Sequence, residues 1–561
     1  MRRLLCRLSS VGGARCVTSV SSGTNNERST NSFTNEMGDN ASHPQLYNVP
    51  ITALRTVGRD AEVMALWQNV LTGRHLQVLT GVDGVGKSTL AAEFCDCARR
   101  SQRFSCIQWF NGRHRLQSQV THFFNSMRNR KEKDILLVLD DVPNVEEVTK
   151  LIPQHANLYT LVTTSQSDLK CDNQQHIVNT LPLSETTSVQ ILPELDRDPV
   201  IGEIFANLGQ VPLLLHIASR LMESECASPT SLLSILQENQ VMRDNTISIS
   251  SALKILLDLS ITHMEQEFPD ARAQLAVLAC FHLGDISDAL VNAVVGEQSG
   301  AFSVLSADMG IFHLKWEDSA FALHASVAQV LRAPCTPQHL ERAATCLASL
   351  WPKRWRGTGS HLAYNLVWHT YAVANHFAAF QVPLSPAMVV CMDKSASFLA
   401  HSEARDLEVA AEFWYRIHEQ NAAAAETSKD AIRVGRECGR LLHYLRDARA
   451  RGVLEKTYKW CTSYFGKVAP ESSLVLGCLA PYLEAAPEMV DLLSESVAAL
   501  LECANNPEGV YSKEEKQMAL ETAFVLTMCK GQMMKEMKMD VPDALWDSLQ
   551  ALDQQIKLLR R

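Results

Sequence analysis

A strand-like run, Leu76-Gln-Val-Leu-Thr80, leads directly into Gly81-Val82-Asp83-Gly84-Val85-Gly86-Lys87-Ser88-Thr89, and a helix-forming stretch, Leu90-Ala-Ala-Glu-Phe94, follows. This is the G-x-x-x-x-G-K-S pattern in a strand–loop–helix setting, and nothing else in the chain constrains its fold as tightly. Glycines let the backbone curl so that successive N–H groups face one anion, and the helix N-terminus adds its positive end. The run Gly81 to Thr89 is therefore a candidate phosphate cradle. Within it Lys87 would reach the β- and γ-phosphates, and the Ser88 hydroxyl would ligate Mg2+. A glycine-rich turn formed by chance would need neither flank.

A second signature lies 59 residues beyond Gly81, where the apolar run Ile135-Leu-Leu-Val-Leu139 ends in Asp140-Asp141. Buried parallel strands read as unbroken apolar runs, and ligands sit at their carboxyl ends. Asp140 is placed to hold Mg2+ through water, and Asp141 to orient or deprotonate an attacking water. Paired aspartates just before Pro143 would, in isolation, read as a turn or a helix cap; the upstream loop decides for a nucleotide. Between the two motifs Cys106-Ile-Gln-Trp-Phe110 is a further strand. That spacing suits P-loop ATPases whose Mg2+-binding strand is not the next one in sequence.

What surrounds this core resembles the NB-ARC branch of the signal-transduction ATPases with numerous domains (STAND). Val57-Gly58-Arg59-Asp60 is similar to the family's segment against the adenine, which gives Arg59 as a nucleotide contact. Trp109-Phe110-Asn111 resembles its second strand, and Leu136 to Val142 its Mg2+-binding strand. Leu161-Val-Thr-Thr-Ser165 lies where the family has a strand ending in T-T-R or T-S-R. Leu208-Gly-Gln-Val-Pro212-Leu-Leu-Leu215 corresponds to a helix whose proline, here Pro212, approaches the nucleotide. Phe321-Ala-Leu-His324-Ala325 is similar to the end of its winged helix, where M-H-D is usual. The resemblance implies that His324 contacts the β-phosphate of ADP in a closed state. Two positions depart from the pattern: Ser165 replaces the arginine that senses the γ-phosphate, and Ala325 replaces the aspartate of the closed-state lock.

Beyond Ala333-Pro-Cys-Thr-Pro337, a break marked by two prolines, the chain is alanine-rich and helix-prone. Met392–His401, Glu408–Gln420, Ala431–Tyr444 and Ala448–Tyr464 alternate small and large apolar residues at helical spacing. They resemble tetratricopeptide-type repeats without the clean 34-residue consensus; a non-repetitive bundle is the alternative. Stacked helix pairs would offer a concave surface to protein partners. The cluster Lys353-Arg354-Trp355-Arg356 reads as a solvated loop between helices.

Composition limits the rest. With 52 Lys+Arg against 62 Asp+Glu the net charge is −10, the wrong balance for a dedicated nucleic-acid binder. No run approaches the length of a membrane span. The 16 cysteines are scattered with no C-x-x-C pair, which reads as free thiols in a reducing compartment. The first 26 residues carry Arg2, Arg3, Arg7 and Arg15 and no acid, so the −10 divides into a +4 leader and a −14 body. Such a leader resembles a mitochondrial presequence and implies matrix import, with a cytoplasmic chain as the alternative.

The expected architecture is multidomain α/β plus α. It comprises a presequence (1–26), a linker (27–50), a P-loop NTPase parallel-sheet domain (51–187), a small helical domain (188–245), a winged helix (246–335) and an all-α helical-repeat-like region (336–561). The implied activity is that of an ATP/ADP and Mg2+-dependent switch, a slow ATPase at most, whose nucleotide state governs homo-oligomeric or protein–protein assembly. The alternative is a hydrolysis-deficient mitochondrial scaffold that nucleotide merely stabilises.

Overall fold

The computed structural model describes residues 49, 57–112, 116, 120, 123–124, 134–152, 157–166, 169, 175–190, 199–238, 249–315, 320–353, 359–401, 406–425, 427–506 and 512–560. The leader 1–26, the linker 27–50 apart from Val49, and Arg354 to Arg356 lie outside them. The chain divides into two compact units, Met1–Pro269 with Ser303–Val330, and Asp270–Phe302 with Leu331–Arg561.

The first unit is built on a parallel sheet. Helix α1 (Asp60–Leu71) precedes β1 (Leu76–Thr80), and α2 (Lys87–Ser101) follows the glycine-rich loop. Next come β2 (Cys106–Asn111), β3 (Ile135–Asp140), α3 (Val145–Thr149), β4 (Leu158–Thr164) and β5 (Gln175–Asn179). The five strands lie in the order β2-β3-β4-β1-β5, all neighbours parallel. The strand ending in Asp140 is thus separated from β1 by β4. Its residues alternate between two cores: Leu136 and Val138 meet α1 and α2 through Leu66, Leu90 and Phe94, while Leu137 and Leu139 face Val142, Val145 and Val148. An unbroken apolar strand is what a sheet covered on both faces requires.

Helices α4 (Glu185–Val189), α5 (Pro199–Asn207), α6 (Pro212–Glu223), α7 (Pro229–Glu238) and α8 (Ile249–Met264) follow. The strands β7 (Phe312–Lys315) and β8 (Ala320–Leu323) pair antiparallel, with Phe312 opposite Leu323. They come after α9 (Ala271–Leu278), β6 (Ile286–Ser287), α10 (Asp288–Val295) and α11 (Ser299–Asp308) in the chain.

After α12 (Ala325–Arg332) the second unit is mostly helical. It holds α13 (Pro337–Leu350), α14 (Gly359–Ala379), α15 (Pro386–His401), α16 (Leu407–Ala423), α17 (Lys429–Tyr444), α18 (Ala450–Phe465), α19 (Pro470–Leu479), α20 (Pro487–Asn505), α21 (Lys513–Glu536) and α22 (Asp543–Arg560). Regular structure is interrupted between Arg332 and Pro337, and Thr336 and His339 close a capping box at the start of α13. Segment 270–302 is tied into this unit through buried His369 of α14. Its Nδ1 accepts from His282 N–H (3.2 Å), so Nε2 carries the proton and donates to the Asp285 carbonyl (3.0 Å). Asp393 on α15 accepts from Trp414 Nε1 of α16 (2.8 Å) and from Arg433 of α17 (2.8 Å), joining three successive helices. Among the described residues no helix is long and apolar enough to cross a membrane.

Close helix approach explains the small residues. A Cβ placed on Gly435 of α17 would lie 2.3 Å from Thr457 Oγ1 of α18 and 3.0 Å from His418 Nδ1 of α16. Thr457 is β-branched, fully buried and bonded to the Val453 carbonyl, so it has no room to turn. Gly435→Ala should therefore destabilise by about 1–3 kcal/mol through overpacking, overriding the roughly 1 kcal/mol helix-propensity gain. Chemical denaturation measures it; a stabilised variant would show that α16, α17 and α18 are not packed this tightly.

Candidate nucleotide-binding site

The loop between β1 and α2 takes a shape that favours glycine at Gly81, Gly84 and Gly86. Gly86 has φ +97° and caps α2. Gly84 has φ +79°, and a Cβ there would lie 2.8 Å from Leu213 Cβ at the start of α6. The Leu213 N–H donates to the Gly84 carbonyl (3.2 Å), so the N-terminus of α6, with Pro212 in its first turn, is seated on the loop. Val82 and Asp83 are exposed, Val85 is fully buried, and Thr89 is half-buried in the first turn of α2.

Lys87 folds back over this loop. Its Nζ donates to the carbonyls of Gly81 (2.7 Å) and Val82 (3.0 Å), with Asp83 Oδ1 at 3.7 Å. Burial pulls its ammonium below the ordinary lysine value, against the pull of Asp83, Asp141 and Asp140. Ser88 Oγ donates to Asp140 Oδ1 at 2.7 Å. The two motifs, far apart in sequence, therefore meet at the carboxyl ends of β1 and β3, where open α/β sheets bind ligands.

Asp140 carries a second hydrogen bond that residue type alone did not single out. Thr163 Oγ1 of β4 donates to Asp140 Oδ1 (2.6 Å) and accepts from the Asp141 N–H (2.8 Å). Asp141 sits in the left-handed region at φ +61°, with its N–H bonded to the Thr163 hydroxyl. Burial raises the Asp140 carboxyl above its ordinary value, opposed by the bonds from Thr163 and Ser88. One signal for Thr163 is legible: with Thr164 it forms a hydroxyl pair at the carboxyl end of β4.

Arg59 is buried at 6% exposure and its guanidinium is engaged. It donates to the Val85 carbonyl in the loop (2.8 Å), to the Leu181 carbonyl (2.7 Å) and to Glu62 (2.9 Å). In this arrangement Arg59 braces the loop from behind. His324, directly after β8, lies within the electrostatic reach of Lys87, Asp83 and Asp141, and burial depresses its imidazole to about 4. His313 of β7 lies beside it, and stands 5.8 Å from the ring of His216 on α6. Burial holds His216 to about 4 as well. Ser165 is exposed at the end of β4, and Ala325 opens α12. The motif residues are thus gathered at one end of the sheet, and sequence reasoning missed Thr163, Leu213 and the His216–His313 pair.

Thr163→Val keeps the shape but strips the bonds to Asp140 and Asp141. It should cost about 1–3 kcal/mol of stability, with Thr163→Ser recovering most of it; equal losses for valine and serine would assign the effect to packing. Because His324 and His216 have folded values near 4 against an ordinary 6.5, the unfolded chain binds more protons between those values. Stability must then rise with pH through that window and fall as it is acidified. His324→Asn should flatten the dependence of melting temperature on pH between 4 and 6.5. An unaltered slope would mean that this ring titrates as a solvated one.

No protein-family model matches the chain, and no curated protein matches it. Among solved structures it is similar to the Signal Transduction ATPase with Numerous Domains (STAND) protein with a tetratricopeptide repeat sensor from Pyrococcus horikoshii. The identity is 11% and the TM-score 0.33, over 92% of this chain and 97% of that one.

Proposed function

We propose that the chain is an ATP/ADP-binding molecular switch of NB-ARC type, in which nucleotide state governs assembly with protein partners and with further copies of itself. The observation that carries this reading is the 2.7 Å bond from Ser88 to Asp140 beside a loop wrapped around Lys87. A hydroxyl at a helix N-terminus and a strand-end carboxylate are both hard oxygen donors. They suit Mg2+, which keeps several waters and takes most other ligands from phosphates.

Bound Mg2+ and ATP would supply a labile phosphoanhydride with its charge partly neutralised. The chain's own residues divide the remaining work. Backbone N–H groups from Gly81 to Thr89 bind the phosphates, with Lys87 exchanging carbonyl partners for phosphate oxygens. Ser88 and Asp140 hold the cation, and Asp141, bonded through its N–H to Thr163, orients and accepts a proton from an attacking water. His324 and Pro212 sense the nucleotide from the segments that follow the sheet, and Arg59 keeps the loop in shape. Residues 51–187 form the nucleotide domain of this reading, 188–245 a small helical domain, 246–335 a winged helix and 336–561 a tetratricopeptide-like partner surface. The acid-free leader supports a mitochondrial address.

Exposed Ser165 favours a second reading, a nucleotide-stabilised scaffold that does not hydrolyse, because no arginine stands there to meet a γ-phosphate. Lys87→Ala should weaken binding of a fluorescent ATP analogue about tenfold or more, the loss of a charge-assisted contact; unchanged affinity overturns both readings. Phosphate release separates them. Under the switch, Asp141→Ala lowers release while binding persists; wild type releasing no more than Asp141→Ala establishes the scaffold.

A further inference from the structure

Cys280 and Cys335 form a buried thiol pair in the second unit. Cys280 follows the C-terminus of α9, and Cys335 lies in the proline-flanked connector between α12 and α13. Their sulfurs are 3.7 Å apart. Both also point at one acceptor, the Ala276 carbonyl, at 3.3 Å and 3.5 Å respectively. The Arg332 guanidinium reaches the Ala279 carbonyl at 2.8 Å, which ties the same two segments and brings a positive charge beside the pair.

We propose that Cys280 and Cys335 are a peroxide-responsive dithiol site, in which Cys335 is the attacking thiol and Cys280 resolves it to an intramolecular disulfide. The roles follow from position. Cys335 retains 9% exposure on a short connector, whereas Cys280 has none. The hydrogen bond shared with Cys280 pulls the Cys335 thiol below its ordinary pKa, with Arg332 acting in the same sense against the effect of burial. Cys280 is pushed up by that shared hydrogen bond and by burial, and so stays protonated. A thiol with a lowered pKa, on the less deeply buried side of a close pair and next to a resolving cysteine, is the arrangement that peroxide oxidation selects.

The chemistry closes with hydrogen peroxide as oxidant. The Cys335 thiolate attacks one peroxide oxygen and the O–O bond breaks. Hydroxide leaves and takes up the proton that Cys335 released, giving water and a Cys335 sulfenic acid. Cys280 then loses its proton and its sulfur attacks the Cys335 sulfur. The S–O bond breaks, the S–S bond forms, and hydroxide leaves to become a second water. Two thiols are oxidised and one peroxide is reduced. The sulfurs must close from 3.7 Å to about 2.05 Å.

The test uses the full chain, purified reduced and exposed to hydrogen peroxide, then blocked with N-ethylmaleimide and digested without reductant. The expected product is a peptide pair linked through Cys280 and Cys335. The intact mass should fall by about 2 Da before blocking, two alkylations should be lost, and dithiothreitol should restore both. In Cys280→Ser, Cys335 should accumulate as a dimedone-reactive sulfenic acid. In Cys335→Ser, Cys280 should remain unoxidised. Peroxide-treated wild type with both residues still alkylated, or with Cys335 carried to sulfinic acid unlinked, would overturn the proposal. That readout needs no variant to fold.

Discussion

A carboxylate at the end of a fully covered parallel strand must be satisfied where it stands, and the site is organised around that demand at Asp140. Two hydroxyls meet it, Ser88 from α2 and Thr163 from β4. The second depends on strand register: Leu139 lies opposite Val162, which sets Thr163 beside Asp140. A one-residue slip would turn Thr163 to the other face of the sheet. The apolar packing of β3 and β4 therefore decides whether the polar end works at all. The same hydroxyl reaches the backbone of Asp141, so side-chain satisfaction and backbone conformation are one arrangement.

The loop is held from three directions as well. Arg59 grips it at Val85, α6 docks on it at Gly84, and Lys87 stitches its own carbonyls. A buried guanidinium with three acceptors is satisfied, and removing any one of them would leave a costly orphan. These contacts hold the loop backbone in its shape in advance, so that no ligand is needed to order it.

Much of this was legible from residues alone, and for identifiable reasons. The strand–loop–helix and the aspartate-terminated strand follow from apolar runs and glycine spacing, both local properties. The helical C-terminal half follows from 3.6-residue periodicity, and its break at Ala333 to Pro337 from proline chemistry. What escaped was non-local. Nothing in the local sequence says that Arg59 will meet the carbonyl of Val85, or that Thr163 rather than Thr164 will face Asp140, since both threonines are buried. Thr164 instead bonds the Val142 carbonyl. Sequence set Arg59 against a nucleotide only by resemblance, and could not have named the three acceptors, Val85, Leu181 and Glu62, that its guanidinium meets.

The backward fold of Lys87 has a kinetic meaning. Its ammonium already donates to Gly81 and Val82, so a phosphate that recruits it must displace existing partners, each worth about 1.5–3 kcal/mol as a charged hydrogen bond. Part of any attraction is cancelled by what is released. When the ligand departs, those carbonyls are waiting to reclaim the lysine, so the site need not open with a bare cation. In the proposed switch, a loop that re-bonds itself in this way would moderate affinity and shorten residence, trading tight capture for exchange.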